Sequence, residues 1–151
     1  VQKTRKDAEL LLIGNDFGEC GEEIHKKVEK LGLKENVKFL GIRSDIPKLL
    51  QAMDVFLFPS LFEGLSVASV EAQAAGLPIL ISDHVPIECK KTELVKVIPL
   101  SESADVWSTA VIECSKIERR DMTEKIKAEK FDIKENSKWL EKFYLDCYQK
   151  I

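Results

Sequence analysis

The sequence predicts an α/β fold of the doubly wound type, a parallel sheet between helices in three layers, from three observations. Short apolar runs alternate with longer amphipathic stretches along the 151 residues, and alternation of this kind signals βαβ units. The runs are nearly continuous in apolar residues, as in strands covered on both faces. A composition of 44% hydrophobic and 32% charged residues suits one globular unit, residues 1–151, with a core of its own.

In chain order the runs are "ELLLIG" (Glu9–Gly14), "VKFLG" (Val37–Gly41), "VFLFP" (Val55–Pro59), "PILIS" (Pro78–Ser82) and "LVKVIP" (Leu94–Pro99). Each has strand length and ends at a turn-forming residue or beside one. Amphipathic stretches at Cys20–Leu31, Asp45–Met53 and Ser66–Ala75 predict the intervening helices, and longer helical patterns at Ser101–Ile117, 120–129 and Asp132–Gln149 close the chain. Local signals agree with these boundaries. Asp45 precedes a first-turn Pro47 as a cap, Asp132 with Glu135 forms a capping-box variant, and Ser66 caps a helix beginning at Val67. Gly76, followed by Pro78, stops that helix, because glycine accepts a left-handed C′ conformation and proline cannot continue the helix. In the last helix Ile133, Trp139, Leu140, Phe143, Tyr144 and Cys147 form an apolar stripe. The stripe is expected to pack on the domain's own sheet; the alternative is that part of it covers a missing neighbour.

Charge and cysteine content exclude several classes. The net charge of −3 arises from 26 acidic and 23 basic residues mixed along the chain, with no basic run beyond short pairs. That argues against a nucleic-acid face. No apolar run approaches the about 20 residues that span a bilayer, and the polar opening "VQKTRKDAE" is not a signal peptide. A cytoplasmic protein is expected. Four cysteines lie far apart with no C-x-x-C pair, so free thiols are expected rather than a zinc site or disulfide framework.

The chemistry concentrates in "LFEGLSVASVEAQAAGLPILISD", Leu61 to Asp83, where Glu71 is the one charged residue between Glu63 and Asp83. A carboxylate buried in so apolar a segment needs a partner or neutralises. In an open α/β sheet ligands collect at the carboxyl ends of strands, beside helix N-termini. Unpaired N–H groups around Gly64, Leu65, Ser66 and Val67 there suit an anion such as a diphosphate, and Gly64 lets it approach closely. Glu63 in the loop and Glu71 just over one turn into the helix would then accept hydrogen bonds from hydroxyls on either side. Ser60-x-x-Glu63 equally satisfies a capping-box pattern, and Glu71 equally suits pairing with a lysine or a backbone group from elsewhere in the fold. Spacing leaves both open.

"FEGLSVASVEAQAAGLPILISD" resembles the nucleotide-sugar motif of the retaining GT-B glycosyltransferases of family four, in which seven residues separate two glutamates. "EGL" with "EAQAAGLP" is most similar to enzymes that build bacterial capsules and exopolysaccharides. "AELLLIGND", "VKFLGIRSDI", "LLQAMDVFLFPSLFEG" and "ISDHVPIE" follow the family's order as well. The resemblance implies that Glu71 binds the ribose hydroxyls of a nucleotide-sugar donor, UDP first. Glu63, the catalytic candidate, would hold a hydroxyl of the donor sugar. The amides of Leu65, Ser66 and Val67 would bind sugar and diphosphate, with Arg43 against the nucleobase. Ser66 stands where many relatives have glycine, and Gly14 would border the cleft without carrying chemistry.

The same resemblance covers only the C-terminal, donor-binding domain and implies that it begins late, with a missing N-terminal GT-B domain that binds a glycan or lipid-linked glycan acceptor. It implies a front-face transfer without metal or other cofactor, and a histidine in the absent domain; His25 and His84 are taken as ordinary. The isolated chain is therefore expected to be inactive, in a protein that is cytoplasmic or peripheral at the inner face of the membrane. A non-catalytic nucleotide-sugar-binding subunit or sensor is the alternative. A signalling receiver domain would need an aspartate ending the third strand; "FLFPS" offers none, although "GND" supplies Asp16. A dehydrogenase is excluded because "GNDFGECG" spaces its glycines wrongly for G-x-G-x-x-G.

Overall fold

The computed structural model describes residues 1–15 and 18–149; Asp16 lies outside the described residues. The elements follow the expected order: β1 Leu10–Ile13, α1 Glu19–Lys30, β2 Val37–Gly41, α2 Ile46–Ala52, β3 Phe56–Phe58, α3 Val67–Ala74, β4 Ile79–Ser82, a 3-10 turn Ile87–Cys89, β5 Val95–Ile98, α4 Ala104–Cys114, α5 Thr123–Ala128 and α6 Ile133–Tyr148. Strand pairing is parallel throughout. The chain divides into two compact units, residues 1–49 and 50–151.

In the first unit β1 pairs with β2, with Leu10 opposite Val37 and a register shift between Leu12 and Ile13. Gly14 has φ 139° and donates its N–H to the Gly41 carbonyl at 3.0 Å, so the turn after β1 uses a conformation that side chains disfavour. Asn36 joins the segment before β1 to β2 by donating to the Ala8 carbonyl at 3.2 Å.

In the second unit the sheet order is β3-β4-β5. β4, the central strand, has all four residues buried. Leu80 packs with Ile98, Ala110 and Cys114, which places α4 on one face. Ile79 and Ile81, on the opposite face by alternation, are equally enclosed at 0% and 1% exposure, and α3 contacts β3 and β4. A second cluster of Val70, Leu94, Met122 and Ile126 ties α3 to α5. Gly76 takes φ 74° after α3, the left-handed C′ residue that its sequence context requires. Arg119 fastens the same corner: its guanidinium donates to the carbonyls of Leu50, Met53 and Ala75.

Two local expectations need correction. Asp45 does start α2, but through its carbonyl, which accepts from the Lys48 and Leu49 amides; its carboxylate turns to Arg43. The α6 stripe does not pack on the domain's own sheet. No residue of α6 is buried, and Ile133, Trp139 and Tyr144 are more than 60% exposed. Periodicity records that a helix has an apolar side, not what covers it, and both faces of β4 are already filled. The Trp139 and Phe143 rings stack on each other at 5.6 Å instead. The helix itself is well started: the Asp132 carboxylate accepts from the Lys134 and Glu135 amides, and these backbone bonds hold its carboxyl below the usual carboxylate range. Trp139→Ala is accordingly expected to lower stability by less than about 1 kcal/mol, against the ~3–5 kcal/mol of a buried tryptophan. A urea denaturation curve of the variant measures this; a loss in the buried range would mean that the stripe is covered within the chain.

Among the described residues no helix is long and apolar enough to cross a membrane. Cys20, Cys89, Cys114 and Cys147 are free thiols, as their spacing predicts.

Candidate functional site

β3 ends at Phe58 and α3 begins at Val67, so residues 59–66 form the loop at the carboxyl end of a strand, where this class of sheet gathers ligands. The first turn of α3 has no preceding helical carbonyls to bond. Ser66 supplies part of what is missing: its Oγ accepts the Ser69 N–H at 3.3 Å, and Ser69 Oγ donates back to the Ser66 carbonyl at 2.9 Å. Among the described residues, the amides of Gly64, Leu65 and Val67 have no acceptor in the protein. The Ser66 amide differs. It donates to Cys89 Sγ at 3.3 Å and is buried, so of the three amides expected to meet a ligand, this one is turned to a thiol.

Glu63 is half-buried and accepts the Ser60 hydroxyl on Oε1 at 2.9 Å. Ser60 is itself anchored, its carbonyl accepting from Ser82 Oγ at the end of β4. The pairing is side chain to side chain, and no helix begins at Ser60, so it is not a helix capping box. A neutral donor orients the carboxylate without cancelling its charge, and Oε2 has no partner among the described residues.

Glu71 is exposed. The helix turns Ser69, Val70, Ala72 and Gln73 inward, while Val67, Ala68 and Glu71 face out; Val67 and Glu71, four apart, share that outer face. The premise that an apolar segment buries Glu71 is therefore corrected: the apolar residues occupy one side of α3, and the carboxylate is hydrated on the other. No hydrogen bond or ion pair reaches it among the described residues, so it is not paired with a lysine. The fold makes no use of its charge.

Arg43 belongs to the first unit. Its Nε and Nη2 each donate to the Asp45 carboxylate at 2.8 Å. Those hydrogen bonds hold the Asp45 carboxyl below its usual range and raise the Arg43 guanidinium further. The Nε–Nη2 edge of the guanidinium is occupied, which leaves Nη1 and the flat face for a ligand.

Glu63, Gly64, Leu65, Ser66, Val67 and Glu71 thus share one loop–helix segment, with unpaired N–H groups at the positive end of α3 and carboxylates before and after them in the chain. Such a segment suits a ligand with an anionic centre and hydroxyl-bearing ends. Two depressions of this unit's surface, one lined by Lys96, Pro99, Val106 and Glu113 and one by Gln51, Asp54, Ser115 and Arg119, include none of these residues. Sequence reasoning missed Cys89 and Gln73 behind the loop. A lone cysteine 23 residues from its partner leaves no local pattern.

Comparison with known proteins identifies the family and the fold. The family described as "Glycosyl transferases group 1" matches residues 1–114. The EpsF protein of Bacillus subtilis (strain 168), which carries a glycosyltransferase name, is 40% identical over 102 residues, 67% of this chain and 26% of its own length. An Escherichia coli UDP-Gal:alpha-D-GlcNAc-diphosphoundecaprenol alpha-1,3-galactosyltransferase is 38% identical over 78 residues, 51% of this chain and 20% of its own. Among solved structures, HepE of Anabaena in complex with UDP-glucose is 29% identical with a TM-score of 0.62, over 72% of this chain and 31% of that one. Sucrose-phosphate synthase of Thermosynechococcus elongatus shares the fold at a TM-score of 0.75 and 20% identity, over 95% of this chain and 39% of that one. The matched part of the chain thus spans a fifth to a quarter of the length of these curated relatives. With the doubly wound α/β fold in place and the family pattern running over most of its length, the chain belongs to the group 1 glycosyltransferases.

Proposed function

We propose that this chain is the donor-binding part of a retaining glycosyltransferase that uses a UDP-sugar in polysaccharide biosynthesis. One observation carries the reading: unpaired amides at the start of α3 precede by about one turn a carboxylate, Glu71, that no group among the described residues engages. Glu71 accepts the ribose hydroxyls, and the Leu65 and Val67 amides hold diphosphate oxygens, with Gly64 leaving room for them. Ser66 keeps the helix start in shape through its hydroxyl. Glu63, oriented by Ser60, takes a hydroxyl of the donor sugar and so acts as the catalytic positioning group. UDP-glucose on HepE supports the nucleotide, and the lipid diphosphate in the galactosyltransferase's name supports a glycan or lipid-linked acceptor.

Transfer lowers its barrier by positioning two substrates and by stabilising charge between them. A donor half alone supplies one substrate, so the 151-residue chain binds donor without turning it over. The exposed apolar stripe of α6 supports a second, acceptor-binding domain as its cover. Attack occurs on the face of the leaving group, whose own phosphate takes the acceptor's proton, with no metal required.

Titration of the chain with UDP, UDP-glucose, UDP-N-acetylglucosamine and GDP-mannose, followed by amide NMR, tests this. UDP and at least one UDP-sugar are expected to bind with millimolar or tighter affinity and to shift the resonances of residues 63–71. No shift at saturating nucleotide, or shifts confined to the depression between β5 and α4, would sink the reading.

A further inference from the structure

The start of α3 is fastened from behind by one buried cysteine. Cys89 is 1% exposed and ends the 3-10 turn Ile87–Cys89. Its Sγ accepts the Ser66 N–H at 3.3 Å, and the thiol donates to the Gly64 carbonyl at 3.6 Å. One side chain thus grips the peptide groups on both sides of Leu65. A thiol is a weak donor and a weak acceptor, so neither contact contributes much alone; together they set a direction. Every peptide bond described is trans, and in a trans peptide the carbonyl and the N–H point opposite ways. With the Gly64 carbonyl drawn inward to sulfur, the Leu65 N–H is turned outward.

Cys89 is itself held in place. Gln73, 0% exposed on the inner face of α3, donates to the Cys89 carbonyl at 2.8 Å and to the Ser69 carbonyl at 3.1 Å. Its Oε1 accepts the amides of Lys91 at 2.9 Å and Thr92 at 2.8 Å. The contacts form a closed ring from α3 through Gln73 to Cys89 and back to the loop that begins α3. The cysteine therefore stands at a fixed height behind the loop.

We propose that Cys89 is a positioning residue for donor binding, acting through the Leu65 peptide to present its N–H to an anionic oxygen of the ligand. This rests on the donor reading above and adds to it a residue that never touches the ligand. The test compares the chain with Cys89→Ala, Cys89→Ser and Ile87→Ala, the last a 65% exposed neighbour on the same turn. UDP and UDP-glucose affinities are measured together with hydrogen exchange of the Ser66 amide. Cys89→Ala is expected to bind both nucleotides about tenfold more weakly, the scale of one lost hydrogen bond, and to lose protection at Ser66. Serine, which also donates and accepts but on a shorter Cβ–O bond, is expected to recover part of the affinity, and Ile87→Ala to match the parent chain. A purely structural cysteine would lower the thermal midpoint and leave the folded protein's affinity within twofold, which overturns the proposal. Unchanged Ser66 protection in Cys89→Ala overturns it equally, and Cys89→Ser is judged on the same two measurements if the alanine variant does not fold. Failure of the donor reading looks different: the parent chain itself would not bind UDP.

Discussion

Glu71→Ala is expected to weaken UDP binding about a hundredfold while leaving the thermal midpoint where it was. Each hydrogen bond from a ribose hydroxyl to a carboxylate contributes ~1.5–3 kcal/mol. Two of them, less the water that refills the gap, leave about 2–3 kcal/mol, on the order of two powers of ten in affinity. The fold loses nothing comparable. Glu71 is exposed, has no partner among the described residues and lies beyond the first turn of α3, where the helix dipole has faded; alanine is also the better helix former. Affinity and stability therefore separate, and their separation is the diagnostic. Glu71→Gln, which keeps an oxygen but not the charge, is expected to fall between the two. Glu63→Ala supplies the contrast, since it should weaken UDP-glucose more than UDP. Calorimetric titration of the three variants decides the matter: UDP binding within threefold of the parent chain in Glu71→Ala would remove the ribose role.

The contrast between Glu71 and Cys89 shows which parts of the site a sequence discloses. Glu63, Gly64 and Glu71 lie within one short segment between a strand and a helix, and their spacing is a statement about one loop and one turn. The Ser66 cap and the Gly76 stop are readable for the same reason, because capping chemistry acts over three or four residues. Direction and cover are not local. Whether Glu71 points inward depends on which side of α3 meets β3 and β4, and an apolar segment around a carboxylate does not say. The Asp45 carboxylate suited a cap by position but found a bidentate partner two residues back. The α6 stripe announced an apolar side without naming an occupant. Cys89 and Gln73 act across 16 to 25 residues, through single atoms, and no period or motif marks them.

Gly76→Ala is expected to cost about 4 kcal/mol. Two effects add. At φ 74° an alanine sits in the left-handed region, at ~1–2 kcal/mol. The new Cβ would also lie 2.1 Å from the Arg120 carbonyl oxygen and 3.1 Å from Arg119 Cγ. That oxygen is backbone and cannot swing aside as a side-chain tip would. The segment bearing it is pinned by Arg119, whose guanidinium donates to the Leu50 and Ala75 carbonyls at 3.1 and 2.9 Å and to Met53 as well. Relief of the overlap has to pull these bonds apart, at about 1 kcal/mol each, or strain the corner by a similar amount. Gly32 separates the two contributions. It also has a positive φ, 67°, but a Cβ there meets nothing within 4 Å, so Gly32→Ala should show the conformational cost alone. For a chain of this size about 4 kcal/mol lowers the thermal midpoint by roughly 8–16 °C. Equal midpoints for the two variants would mean that the segment around Arg119 and Arg120 does not close over the end of α3, and the corner that holds the loop-bearing helix against its sheet would have to be redrawn.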